Sequence, residues 1–199
     1  LPVRSMVLFP GVVSPILIGR ESSKIVIQKA EKKGELLGVV CQRDPDVNIP
    51  LQDDLYKTGV YVKIMKILSL PNGNITAIVQ CYSRLRLNRL TQATPYLMGD
   101  VEPLTELDPE KRDREFKTAM EDLRDLVDEY VNVCEDIPDE ATYAVKNITN
   151  DIMALNFICS NMPFPVKEKI KLLEMDSVKE RLFNVMKIIN REINLQNLK

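Results

Sequence analysis

Asp44, Asp46 and Asn48 stand at the spacing of the first three side-chain ligands of a calcium loop, where oxygen atoms converge on a hard cation. The pattern then fails, because Ile49 occupies the place of the turn glycine and Leu55 the place of the bidentate glutamate. Pro45 and Pro50 make the stretch a polar turn, and no metal ligand is assigned. The chain has no His, which removes Ser-His and Cys-His nucleophile pairs and histidine zinc sites. Ser and Lys occur, but in neither a glycine-flanked elbow nor an S-x-x-K context that would activate a hydroxyl. Neither G-x-x-x-x-G-K-[ST] nor G-x-G-x-x-G is present to cradle phosphates, so no cofactor-binding residue is assigned. Cys41, Cys81, Cys134 and Cys159 form no C-x-x-C pair and read as reduced, buried thiols of a protein kept in a reducing compartment. Catalysis is not expected of these residues.

Binding remains. In Arg84-Leu85-Arg86-Leu87-Asn88-Arg89, strand alternation puts Arg84 and Arg86 on one face and Leu85 and Leu87 on the other. A solvated strand face is the expected reading, ahead of an interface with an acidic protein surface. Nucleic acid is not expected, since no aromatic residues interleave the cluster. A receptor for unfolded segments needs exposed apolar side chains, and two breaks in pattern offer them. One is Asn161-Met162-Pro163-Phe164-Pro165, where the prolines forbid continuous helix and would leave Met162 and Phe164 outside the core. The other is the run 58–70, whose alternation at Val60, Val62 and Ile64 shifts phase as a bulge requires, turning Met65, Ile67 or Leu70 away from the core face. The alternative, that all five pack inward, stays open.

These residues are carried by two regions with different patterns. The chain has 199 residues, room for one large domain or two small ones, and all seven glycines fall between Gly11 and Gly99. Residues 1–100 hold 13 Lys or Arg against 8 Asp or Glu, whereas residues 101–199 hold 14 against 21. The first region, 1–107, shows short apolar runs bounded by turn residues, at Val3 to Phe9, Val12 to Ile18, Thr58 to Leu70 and Tyr96 to Leu104. Pro71-Asn72-Gly73-Asn74 separates the third of these from the alternating Ile75, Ala77, Val79 and Cys81, a hairpin signal. Ser22 to Lys33 suits one short amphipathic helix ended by Gly34. About six strands in a sheet that curls or closes, plus one helix, is the reading.

The second region, 108–199, reads as helices. Asp108-Pro109 marks a start, followed by an apolar seam at Phe116, Met120, Leu123, Val127, Tyr130 and Cys134. After Pro138 a second helix carries Ala141, Val145, Ile148, Ile152, Leu155 and Cys159. A shorter one spans Pro165 to Leu173, and Ser177-Val178-Lys179-Glu180 is a capping box opening a last one. Short connections imply an antiparallel bundle, so the fold class is α+β. No apolar stretch reaches the ~20 residues of a membrane-spanning helix, and no membrane partner is expected. The opening Leu1-Pro2-Val3-Arg4, without Met, and a helical pattern still amphipathic at Leu195 to Lys199 lead us to expect a piece of a longer chain.

Leu1-Pro2-Val3-Arg4, Val7-Leu8-Phe9-Pro10-Gly11, Pro15 and Gly19-Arg20 resemble the signature that begins the amino-terminal domain of the Lon family of ATP-dependent proteases. Asp44-Pro45, Asp53-Asp54-Leu55-Tyr56, Gly59, Leu70-Pro71-Asn72-Gly73 and Val101-Glu102-Pro103-Leu104 are similar to family positions in the same order. So are Pro165-Val166-Lys167-Glu168-Lys169 and Val178-Lys179-Glu180-Arg181-Leu182, so the resemblance covers nearly the whole chain. It implies a PUA-like β pseudo-barrel subdomain, a helical bundle and a long helix leading to an ATPase and a Ser-Lys protease module absent from this sequence. The implied role is non-catalytic recognition of unfolded or tagged protein substrates and assembly of a homo-hexamer in the cytoplasm. ATP and Mg would serve the parent protein, and no cofactor this fragment. The shared positions are Gly, Pro and apolar types with backbone and packing roles, so the resemblance carries over no binding residue. A self-standing interaction protein of the same fold is the alternative, and an RNA-binding PUA-like module a more distant one.

Overall fold

Ile75 to Gln92 form one strand, far longer than the alternating stretch that announces it, and the amino-terminal unit is arranged around it. A computed structural model describes residues 1–199, which divide into two compact units, Leu1–Thr105 and Glu106–Lys199. In the first, β1 (Pro2–Val3), β2 (Val13–Ile18), β3 (Leu37–Cys41), β4 (Thr58–Ser69), β5 (Ile75–Gln92) and β6 (Met98–Pro103) form one sheet. Its order is β1-β3-β4-β5-β2, with β6 also on β5. Leu85 pairs with Gly59 of β4 and with Pro103 of β6, so β6 continues along the edge of β5 that β2 occupies nearer the hairpin. Helix α1 (Glu21–Lys33) packs on β4 and ends at Gly34, whose φ of 65° closes the last turn onto Ala30 O and Glu31 O. Val3 to Phe9 is not one strand: Ser5 has a φ of 56°, and Val7, Leu8 and Phe9 are buried outside the sheet.

The hairpin is closed by Leu70, whose N–H donates to Asn74 O at 2.8 Å and whose carbonyl accepts from Gly73 N at 3.1 Å. The phase shift expected in β4 is present: Ile64 faces Val79 while Lys66 faces Ile78, which makes Met65 the inserted residue of a bulge. A second bulge lies on β5. Val62 faces Cys81 but Val60 faces Arg84, so the strand carries one extra residue at Tyr82-Ser83. Because side chains alternate, that insertion exchanges the faces of β5. Ala77, Val79 and Cys81 share the face of Val62 and Ile64, whereas Leu85 and Leu87 join Val40 and Leu55 in a second buried cluster. Val39 and Val40, adjacent on β3, are both buried, as in a sheet covered on both faces.

The second unit holds α2 (Arg114–Val133), α3 (Asp139–Asn147), α4 (Asp151–Asn161), α5 (Val166–Glu174) and α6 (Val178–Asn197). The apolar seam of α2 is buried throughout, but the helix is capped five residues after the expected Asp108, at Asp113. Leu107 is held extended beside Ser177 by bonds from its N–H to Asp176 O and to its carbonyl from Val178 N, so the chain cannot turn helical there. Asp113 caps instead, accepting from Phe116 N at 2.9 Å and from Lys179 Nζ at 3.0 Å, which together hold its carboxyl below the ordinary carboxylate range. The single helix expected across Ala141 to Cys159 is two. Asn150 accepts from Met153 N at 3.0 Å and starts α4 afresh, interrupting an apolar rhythm that runs through the break unchanged.

Arg181 of α6, fully buried, ties this unit together. Its Nε donates to Leu172 O at 3.1 Å, Nη1 to Asn156 Oδ1 at 2.9 Å, and Nη2 to Met175 O at 2.8 Å. Both terminal nitrogens also reach the Glu106 carboxylate, at 3.3 and 3.4 Å. Removing such a group strands its acceptors without water. Arg181→Met should therefore lower the stability of the helical unit by ~3–5 kcal/mol in urea unfolding, whereas Arg191→Met, losing half-exposed pairs with Glu168 and Glu192, should cost less than ~1 kcal/mol.

Candidate functional site

Met162 and Phe164 are not an exposed patch but core residues, as the inward-packing alternative has it: they are 0% and 5% exposed. The prolines do end α4, but the chain turns inward, Phe164 N–H bonding Met162 O and the Phe164 ring stacking 6.3 Å from that of Tyr130. Met65, at the β4 bulge, is 59% exposed. Ile67 faces Ala77 on the core side and is half-buried, and it is Leu68, next to Thr76 and beyond it Leu17, that the phase shift turns outward. Leu70 is half-buried within the turn that its own backbone closes. The five residues therefore make no common surface.

The basic cluster is not a free solvated face. Arg84, placed by the β5 bulge on the face of Val60, is fully buried, and its Nη2 donates to Thr105 O at 2.9 Å. Arg86 and Arg89 are exposed but paired across the strands with Glu102 and Asp100 of β6, at 3.8 and 2.8 Å.

What the fold brings together instead is an apolar groove of about 290 Å³ over the second cluster of the first unit. Leu85 and Leu87 of β5, with Val40 and Leu55, form its floor. Leu36, Met98 and Val101 stand exposed along its rim, at 57%, 50% and 42%. Gly99 keeps the floor in place, since a Cβ there would stand 2.8 Å from Leu87 Cδ1 and 2.7 Å from Arg89 O. At one end Lys29 Nζ donates to Tyr96 OH at 2.6 Å, a bond that raises the ammonium above its ordinary pKa, and lies 5.3 Å from the ring centre. β6 pairs with β5 alone, so its other edge presents unpaired backbone donors and acceptors beside the groove. An extended chain could add there as a strand while its side chains enter the groove.

Sequence reasoning missed this groove because its walls come from positions as distant as Leu36, Leu87 and Met98. The signals available were Ser83 breaking the apolar phase of β5 and the exposed Met98 and Val101 of a short edge strand. All four thiols are buried, and burial pushes those of Cys81 and Cys159 up to about 12.

Comparison with known proteins is consistent over the whole chain. Residues 1–191 match the family model of the ATP-dependent protease La (LON) substrate-binding domain. A Lon protease of Parabacteroides distasonis is 40% identical over 199 residues, and one of Flavobacterium johnsoniae is 36% identical over the same length. In both cases all of this chain is covered but 24% of the relative, so the chain spans about a quarter of the length of the relatives it matches. Among solved structures, the N-terminal domain of Mycobacterium avium complex Lon protease superposes with a TM-score of 0.66 at 20% identity, covering 98% of this chain and 96% of that one. A Lon N-terminal domain protein from Xanthomonas campestris gives 0.60 at 16%, covering 94% and 95%, a likeness of fold.

Two outcomes check the placement of these side chains. Phe164→Ala should cost ~3–5 kcal/mol, the usual loss for a buried phenyl ring, while Met65→Ser should stay within ~0.5 kcal/mol in the same denaturation assay. Alkylation of Cys81 and Cys159 by iodoacetamide near pH ~8 should proceed only through unfolding and accelerate in urea; rapid labelling of the native protein would contradict their burial.

Proposed function

The chain belongs to the substrate-binding domain family of the ATP-dependent protease La (Lon), and from that premise we propose that its apolar groove receives exposed apolar segments of unfolded proteins. The observation that carries this reading is the rim of Leu36, Met98 and Val101 standing open above the floor of Leu85 and Leu87. Native proteins keep such side chains inside, so a groove that rewards their burial discriminates by folding state and not by sequence. One buried Leu or Phe contributes about 1.5–3 kcal/mol, and ordering the bound segment offsets much of that. Each groove therefore binds loosely, and the unpaired edge of β6 adds backbone hydrogen bonds that any sequence can make.

We further propose that this domain is the non-catalytic recognition part of a longer cytoplasmic protease in which separate modules hydrolyse ATP with Mg and cleave peptides with a Ser-Lys pair. Identity of 40% to a Lon protease of which the chain covers 24% supports the reading. Assembly as a homo-hexamer would set several grooves around one machine, and their joint effective concentration would convert loose single contacts into retention.

Replacing Leu36 and Met98 together by Ser should weaken binding of a permanently unfolded, carboxymethylated protein by at least about tenfold while changing stability by less than ~0.5 kcal/mol each. Unchanged affinity in a variant that remains folded would remove the groove from substrate recognition.

A further inference from the structure

A second cleft of the first unit, about 570 Å³, has different chemistry: Arg4 and Arg20 line it together with Met6, Leu17, Asn48 and Asn74. Arg20 is the N-cap residue of α1, and its Nη2 donates to Gln42 Oε1 and, at 3.4 Å, to Val47 O. Gln42 is itself buried and fixed, its Nε2 donating to Asp44 O at 3.1 Å and Val47 O at 2.9 Å, so the guanidinium is held in one place. Arg20 Nε is buried without an acceptor, and Nη1 makes no hydrogen bond. Arg4 reaches only Asn48 Oδ1, at 3.4 Å. Neither guanidinium has a carboxylate partner. Burial first, and then the charge of Arg4, push Arg20 below its ordinary pKa.

The start of α1 adds to the same field. No side chain caps its first turn, whose backbone N–H groups carry the positive end of the helix dipole. The other wall of the cleft is apolar: Met6 is half-buried, and Leu17, on the edge strand β2, is 67% exposed. A ligand complementary to both walls carries an oxyanion and an apolar group side by side. Inorganic phosphate supplies the first without the second.

We propose that this cleft takes the terminal carboxylate of an unfolded polypeptide whose last side chain is apolar. The proposal deepens the substrate-recognition reading and rests on it. One carboxylate oxygen accepts from the free Nη1 of Arg20 and the other from Arg4, relieving their mutual repulsion, while the last side chain lies against Leu17 and Met6. Substrates would then be held in two ways, through internal apolar segments in the groove and through a free carboxyl end here.

The test is fluorescence anisotropy of the whole chain with labelled peptides ending in Leu, made as the free acid and as the amide. The acid should bind at least about tenfold tighter at low ionic strength, and Arg4→Gln and Arg20→Gln should each reduce that ratio toward one. Arg20→Gln could disturb the fixed Gln42, so the exposed Arg4 provides the variant free of that effect. Arg89→Gln, in an exposed pair elsewhere, should leave the ratio intact. Equal binding of acid and amide, or a ratio that survives both substitutions, overturns the proposal. So does displacement of the acid by inorganic phosphate as effective as displacement by an unlabelled acid peptide, which would mark a general oxyanion site. The Leu36, Met98 variant separates the readings: it should weaken acid and amide alike, so failure of the groove leaves the acid-to-amide ratio as an independent result.

Discussion

One inserted residue in β5 governs the amino-terminal unit. Without the bulge at Tyr82-Ser83, Leu85 and Leu87 would continue on the face of Val79 and Cys81, and the surface above Val40 and Leu55 would lack its floor. With it, a single strand contributes to two apolar clusters on opposite faces of the sheet. It also pairs with β4 on one side and with β2 and then β6 on the other. The groove exists because β6 is carried past the bulge, where Gly99 lets it approach Leu87 closely.

The same insertion explains a buried cation. Arg84 falls on the inward face opposite Val60, and the strand accommodates it through the carbonyl of Thr105. In the helical unit Arg181 occupies a comparable position, with Leu172 O, Met175 O, Asn156 and Glu106 around it. An apolar side chain of similar volume could fill either space with less desolvation cost. What it could not do is bind the carbonyls left over where α5 ends or the peptide groups at the exit of β6. Each arginine thus fixes the termination of an element as well as filling the core.

On the proposed readings the two clefts would divide recognition between kinds of contact. In the groove, apolar burial is non-directional and tolerant of sequence, as suits ligands defined only by having lost their fold. At Arg4 and Arg20 the contact would be charged and directional, made by two guanidiniums that have no carboxylate partner. Both lie on the sheet unit, which carries the excess of basic residues, whereas the acidic residues concentrate on the helices.

Local pattern was sufficient for much of the fold. The amphipathic periods of α2 and α6, the Gly34 stop, the Gly73 turn and the Met65 bulge each follow from residues within a few positions of one another, where side-chain spacing and backbone preference act directly. Pattern also sufficed to show that the sequence has no histidine and neither glycine-rich phosphate-binding motif. It could not place Met162 and Phe164, because prolines forbid a helix without stating on which side the chain then passes. Nor could it reveal the groove: Ile75, Ala77, Val79, Cys81, Leu85 and Leu87 all occupy odd positions and read as one face, although the bulge puts the last two on the other. Whether Arg84 is a surface charge or a buried one, and whether Arg4 and Arg20 meet in a cleft, depends on strand register and on loops distant in the chain. The sequence alone determined most of the helices and strands, whose signals are local; tertiary structure decided which apolar residues stay exposed, since exposure depends on what the rest of the chain leaves uncovered.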